Sequence, residues 1–333
     1  MSQYPIQLYS TISTIAAPFS LFGSSAMFYV ISRSRSKFST TLNRLLVGLC
    51  VGDIILSFPM LFSKATLTFE DRQSYTAVVP SNQAACSTQG FFITLGMVIC
   101  PFNNCALCIY YICVIQLNMS VSKIKKYVEP FLHAIPWMYA ITISSVAVAT
   151  RSINSAAAMC RIAEYRPKGC ESDDCARGKN HVKKLFLIGA VWLIITFIAI
   201  VVMMTVIFLK VWRQERKMKN AGYRSTNAAR SSAAGSEANM IAGNRNQAQA
   251  TSNRLSLRQN VANSRKVLNQ ALAYAGAYFV TWFFPLCYLL DSLITQYSMP
   301  AIMSVIASIS SPLQGKSYAI TTIAVVFLNY PCC

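Results

Sequence analysis

Four groups of residues have the types and spacing to do chemistry. Asp53 ends the uncharged run Leu45 to Gly52, an ionisable group inside an apolar stretch. A charge at the bilayer centre costs about 2.5–3.5 kcal/mol on insertion scales, so such a residue faces a bundle interior with a partner or water. That reads as an intramembrane hub. Asn103 and Asn104 follow Pro101 and place two amides in another apolar stretch, where they either meet a ligand or bond a neighbouring helix. Trp282-Phe283-Phe284-Pro285 sets aromatic rings beside a residue that cannot donate to the Thr281 carbonyl, which makes Pro285 a pivot with Trp282 next to it. Asn103, Asn104, Trp282 and Tyr288 are the ligand-pocket candidates.

Cysteines form the fourth group, twelve in all. Cys50, Cys100, Cys105, Cys108, Cys113 and Cys287 lie in apolar stretches. Cys105 and Cys108 make a C-x-x-C, but without a nearby histidine this reads as packing, not metal binding. Cys86, Cys160, Cys170 and Cys175 fall between stretches. On an oxidising side they can form two disulfides.

Other chemistry finds no support. Neither His133 nor His181 has a second histidine or a carboxylate at ligand spacing, and no nucleophile–base pair or phosphate loop is visible. The chain reads as neither an enzyme nor a metal or cofactor protein. Lys316 invites a retinal Schiff base. That would need a buried counter-ion, which the stretch holding Asn103 lacks.

The elements that must position these residues are membrane helices. Of 333 residues, 54% are hydrophobic and 12% charged; soluble domains carry about 25% charge. Seven stretches, near 8–31, 45–63, 90–115, 131–150, 185–209, 268–290 and 301–328, are long enough to span. They are unbroken and lack the alternation of barrel strands, so they are helices. The expectation is an all-α membrane protein, a seven-transmembrane helix bundle.

The formal net charge is +19. Nucleic acid is excluded as the partner by the apolar length, and membrane lipid is implied. Lys and Arg number 19 in the loops before the second, fourth and sixth stretches and 10 in the alternate set. The first set is cytoplasmic by the positive-inside rule, which puts the N-terminus outside the plasma membrane. Three regions result: 1–210 with five helices, 211–267 as a long basic cytoplasmic loop, and 268–333 with two more helices and an atypical C-terminus. Within the loop, Arg224 to Asn263 is rich in Ser, Ala, Asn, Gln and Arg and is expected to be disordered.

This arrangement resembles G-protein-coupled receptors. Leu45-Leu46-Val47-Gly48-Leu49-Cys50-Val51-Gly52-Asp53 looks like the second-helix run of that family. Cys86-Ser87-Thr88-Gln89-Gly90-Phe91-Phe92, Tyr110-Tyr111, Glu129-Pro130-Phe131-Leu132-His133, Cys160-Arg161-Ile162-Ala163 and Pro312-Leu313-Gln314-Gly315 are similar to a protist receptor-like group, itself distantly similar to slime-mould cyclic-AMP receptors and fungal sugar receptors. The resemblance implies a Cys86–Cys160 disulfide, with Cys170 as the alternative partner and Cys170–Cys175 otherwise a local bridge.

It also implies an unknown extracellular ligand and a heterotrimeric G protein. The G-protein contact candidates are Lys123, Lys125, Lys126, Arg213, Arg216, Arg265 and Lys266. Two positions depart from the pattern: Gln116 stands where such receptors carry a basic residue, and Lys316-Ser317-Tyr318 follows Gly315 in place of an aromatic–Asn–aromatic continuation. The competing readings are a transporter or channel, which internal repeats and several midplane charges would mark, and a truncated, non-signalling homologue.

Overall fold

The computed structural model describes residues 4–33, 38–62, 83–156, 159–162, 187, 191–232, 272, 275–287 and 290. The seventh stretch lies outside them, as do Cys170, Cys175, Arg265, Lys266, Tyr288 and Lys316. The helices are α1 (Tyr4–Arg33), α2 (Thr41–Leu61), α3 (Gln83–Ile115), α4 (Glu129–Ala149), α5 (Val191–Ser232) and α6 (Ala275–Cys287). The first five are long and apolar enough to cross a membrane.

α3 is the axis of the bundle. Nineteen of its residues are buried, from Cys86 to Ile115, and α1, α2, α4, α5 and α6 all add to the hydrophobic cluster around it. α2 runs antiparallel to α3 in a register that side chains make explicit. Asn103 meets Gly48, Cys100 meets Gly52 and Asp53, Gly96 meets Leu56, and Gln89 meets Pro59. Glycine permits this closeness. A Cβ on Gly96 would stand 2.6 Å from Leu56 Cβ and 2.7 Å from its Cα. Small residues in membrane helices act this way because lipid supplies no hydrophobic drive, leaving close van der Waals packing to do the work.

Prolines inside α2 (Pro59), α3 (Pro101) and α4 (Pro136) each remove a backbone donor. Nearby polar side chains bond the carbonyls of such segments. Gln89 Nε2 donates to Pro59 O at 3.0 Å, and Asn104 Nδ2 to Cys100 O at 2.9 Å.

At one end of the bundle lies a hairpin of β1 (Ile153–Ala156) and β2 (Met159–Ile162), antiparallel, with Ser155 opposite Cys160. It caps α3 with a separate small cluster of Cys86, Ala147, Ile153, Cys160 and Ile162. A Cβ on Gly90 would meet Ile153 Cγ2 at 2.2 Å, so the hairpin is seated directly on the helix.

Two expectations are corrected. The fourth span starts well before 131: a helical turn, Val121–Lys123, and a π-helical segment, Ile124–Val128, lead straight into α4. Ile124 is fully buried, and that anchor turns what reads as a basic loop into helix. Likewise the region boundary at 211 falls inside α5, which continues to Ser232 through the first residues of the segment expected to be disordered. Val211 to Ser232 carries Ala, Lys, Arg, Glu and Met with no proline, good helix formers able to extend a helix already nucleated in the membrane.

Candidate functional site

Three polar clusters are threaded along the bundle, and each is built by helices that the sequence keeps far apart. The central one is Asp53, 2% exposed. Ser24 Oγ of α1 donates to Oδ2 at 3.4 Å, and Cys100 Sγ of α3 to Oδ1 at 3.3 Å. The hub therefore joins three helices. Asn103 lies one turn further along α3, donating through Nδ2 to Gly48 O at 3.0 Å. Of the two roles open to it, the bond to a neighbouring helix is the one the structure displays. Asn104 bonds within its own helix, to Cys100 O.

On the α5–α6 side, Trp282 is 1% exposed and stacks on Tyr278, with ring centroids 6.2 Å apart at 29°. Tyr278 in turn approaches Phe197 of α5 at 6.2 Å, and Phe197 meets Phe279 edge-on at 4.8 Å. Cys105 Sγ of α3 reaches Thr196 O of α5 at 3.7 Å. This C-x-x-C residue packs against a neighbouring helix, and no group of three or more metal-ligating side chains occurs among the described residues. Below Pro285, Thr281 Oγ1 donates to Ala277 O at 2.9 Å and Tyr278 O at 3.0 Å. Trp282 thus stands in one aromatic column shared by α5 and α6.

At the hairpin end, Cys86 and Cys160 form a disulfide. Cys160 is thereby occupied, so Cys170 is not the partner of Cys86. Gln89 tightens the same junction, accepting from Cys160 N at 3.2 Å while donating to Pro59 O. In the sequence Gln89 stands only as part of the Cys86–Phe92 run, and nothing local marks its partners.

The opposite end is basic and exposed: Lys123, Lys125, Lys126, Arg213 and Arg216 all face outward. Arg216 lies over the Trp212 ring at 3.7 Å and Lys126 over Tyr127 at 5.2 Å, amphipathic pairs suited to a membrane interface. Lys210 Nζ donates to Gln116 O at 2.5 Å. α5 thus brings a basic residue to the end of α3, beside Gln116.

Sequence reasoning missed the most elaborate cluster. Glu129, 7% exposed, pairs with Arg44 of α2 through both carboxylate oxygens, with Arg44 Nη2 donating to Oε2 at 2.6 Å. Thr41 Oγ1 adds a bond at 2.7 Å. His133 Nε2 stands 3.8 Å from Oε1, four residues along the same helix. His133 does have a carboxylate at helical spacing, contrary to the expectation above. The signal that could have found it was the i, i+4 pair at the head of an apolar stretch.

The model of the 7 transmembrane receptor (rhodopsin family) matches residues 23–329. Squid rhodopsin aligns with 99% of this chain and 87% of its own at a TM-score of 0.57 and 12% identity, a likeness of fold. No curated protein matches. The match spans nearly the whole chain, and its class is one of receptors and not of enzymes. The chain belongs to the rhodopsin family of seven-transmembrane, G-protein-coupled receptors.

Proposed function

We propose that this receptor lies in the plasma membrane with its N-terminus outside and receives an extracellular ligand at the hairpin end. The inner half of α6, pivoting at Pro285, then opens the basic end to a heterotrimeric G protein. The observation that carries the reading is the chemical polarity of the bundle. A disulfide closes one end, and exposed Lys123, Lys125, Lys126, Arg213 and Arg216 crowd the other. Disulfides persist on the oxidising side and basic residues collect on the cytoplasmic side. Between the ends, Trp282 and Tyr278 link the pivot to α5, the physical continuity that coupling across the membrane requires.

The test uses the full chain with one epitope at the N-terminus and another after Ser232. An impermeant antibody on intact cells should reach the first and not the second. Membranes from those cells, mixed with purified Gα subtypes and Gβγ, should exchange nucleotide faster than membranes from untransfected cells. Inverted labelling, or no exchange with any subtype, overturns the proposal.

A further inference from the structure

Glu129 is tied to its surroundings by both its backbone and its side chain. Its N–H donates to Ile124 O, closing the π turn of Ile124–Val128. Its carboxylate takes Arg44 and Thr41 from the first turn of α2. Arg44 Nη1 also donates to Phe38 O, which brings in the loop before α2. One nearly buried residue thus fastens a π turn to a different helix.

The turn matters for what surrounds it. π turns are rare and carry a register shift that α-helix cannot supply. Here Ile124 is fully buried, while Lys123, Lys125 and Lys126 on either side of it are exposed. The segment enters by an αL residue, Asn118 (φ 48°), and Met119 N bonds back to Cys113 O at the end of α3. Both ends of the strip are therefore held, one by α3 and one by Glu129.

We infer that Glu129 is a positioning residue: its bonds to Arg44 and Thr41 hold Val121–Val128 as a preformed basic strip that docks an acidic protein surface. The surface is that of the G protein of the proposed function, on which this part of the inference rests. A strip ordered in advance loses less entropy on docking than a flexible loop would.

Hydrogen exchange on the receptor in phosphatidylcholine nanodiscs tests the positioning directly, whether or not a G protein couples. In Glu129→Gln, amides of 121–128 should exchange about tenfold faster, while the α3 core is unchanged. Arg44→Gln should do the same, and the double variant should add nothing, because both changes break one unit. Thr41→Val, which removes a single donor, serves if Glu129→Gln does not reach the membrane, with a rise of about threefold expected. Unchanged exchange in 121–128, or additive effects, overturns the inference.

Docking is read from nucleotide exchange titrated with G protein. Glu129→Gln should raise the half-saturating concentration about fivefold with the maximal rate kept. If instead neutralising Lys123, Lys125 and Lys126 weakens binding to phosphatidylserine vesicles and leaves the titration unmoved, the strip is a membrane anchor and the docking claim fails. No exchange even from wild type defeats the proposed function, while the hydrogen-exchange result still decides the role of Glu129.

Discussion

Cys100 donates its thiol to Asp53 across the α2–α3 interface at 3.3 Å, and Ser24 serves the other carboxyl oxygen from α1. Three helices therefore meet at one acid. Polar bonds between membrane helices average about 0.6 kcal/mol and reach about 1.7 kcal/mol. Cys100→Val should lower stability within that range, and Asp53→Leu should disturb it more, since both Ser24 and Cys100 lose their acceptor. Thermal unfolding in detergent reads both. A fully buried thiol should also resist maleimide in the folded receptor and react once it is denatured. Rapid labelling of Cys100 in the native state would contradict the packing.

Gly96 is expected to be irreplaceable. A methyl there would stand 2.6 Å from Leu56 Cβ but also 2.7 Å and 2.8 Å from Leu56 Cα and N. Backbone cannot be trimmed away, so Leu56→Ala should fail to rescue Gly96→Ala. Overpacking of this kind costs about 1–3 kcal/mol. Surface expression and melting temperature of the single and double variants provide the measurement; recovery in the double variant would place the conflict in the side chain alone.

The hairpin end depends on Cys86–Cys160, which spans a sequence separation of 74. In the chain-entropy model such a closure is worth about 4 kcal/mol. Non-reducing peptide mapping should recover the Cys86 and Cys160 peptides joined. Cys86→Ser with Cys160→Ser should lower the melting temperature, and Gln89→Ala should weaken the same junction to a lesser degree. It removes the bonds to Cys160 N and Pro59 O but leaves the covalent tie.

For the basic segment that follows the apolar part of α5, helix and charge are expected to matter and the polar middle is not. Deleting 233–252 should leave expression and nucleotide exchange nearly intact. Neutralising Arg213, Arg216, Arg265 and Lys266 together should abolish exchange without altering antibody accessibility at the N-terminus. A quadruple variant that exchanges at the wild-type rate would reduce these residues to orientation signals worth about 1 kcal/mol each at the inner leaflet.

The sequence by itself determined the fold class, because a bilayer admits few structures: long uncharged stretches must be helices. It also marked Asp53 as a buried hub, since an acid is costly inside lipid whatever surrounds it. The disulfide came from resemblance, and the structure placed Cys86 against Cys160. Partners were another matter. Ser24 and Cys100 lie 29 and 47 residues from Asp53, and Glu129 lies 85 from Arg44.

Nothing local connects such pairs, so only packing of α1, α2, α3 and α4 decided them. Arg44 counted as a loop charge until its guanidinium was seen to turn inward to Glu129. The lysines at 123, 125 and 126 read as a loop because their charges hide the one buried anchor, Ile124. Composition also misplaced the end of α5: a polar sequence cannot form a core, but it can continue a helix that apolar residues have begun in the membrane. Periodicity and charge are properties of a chain segment, whereas which donor meets which acceptor is settled by the close approach of helices that Gly52 and Gly96 permit.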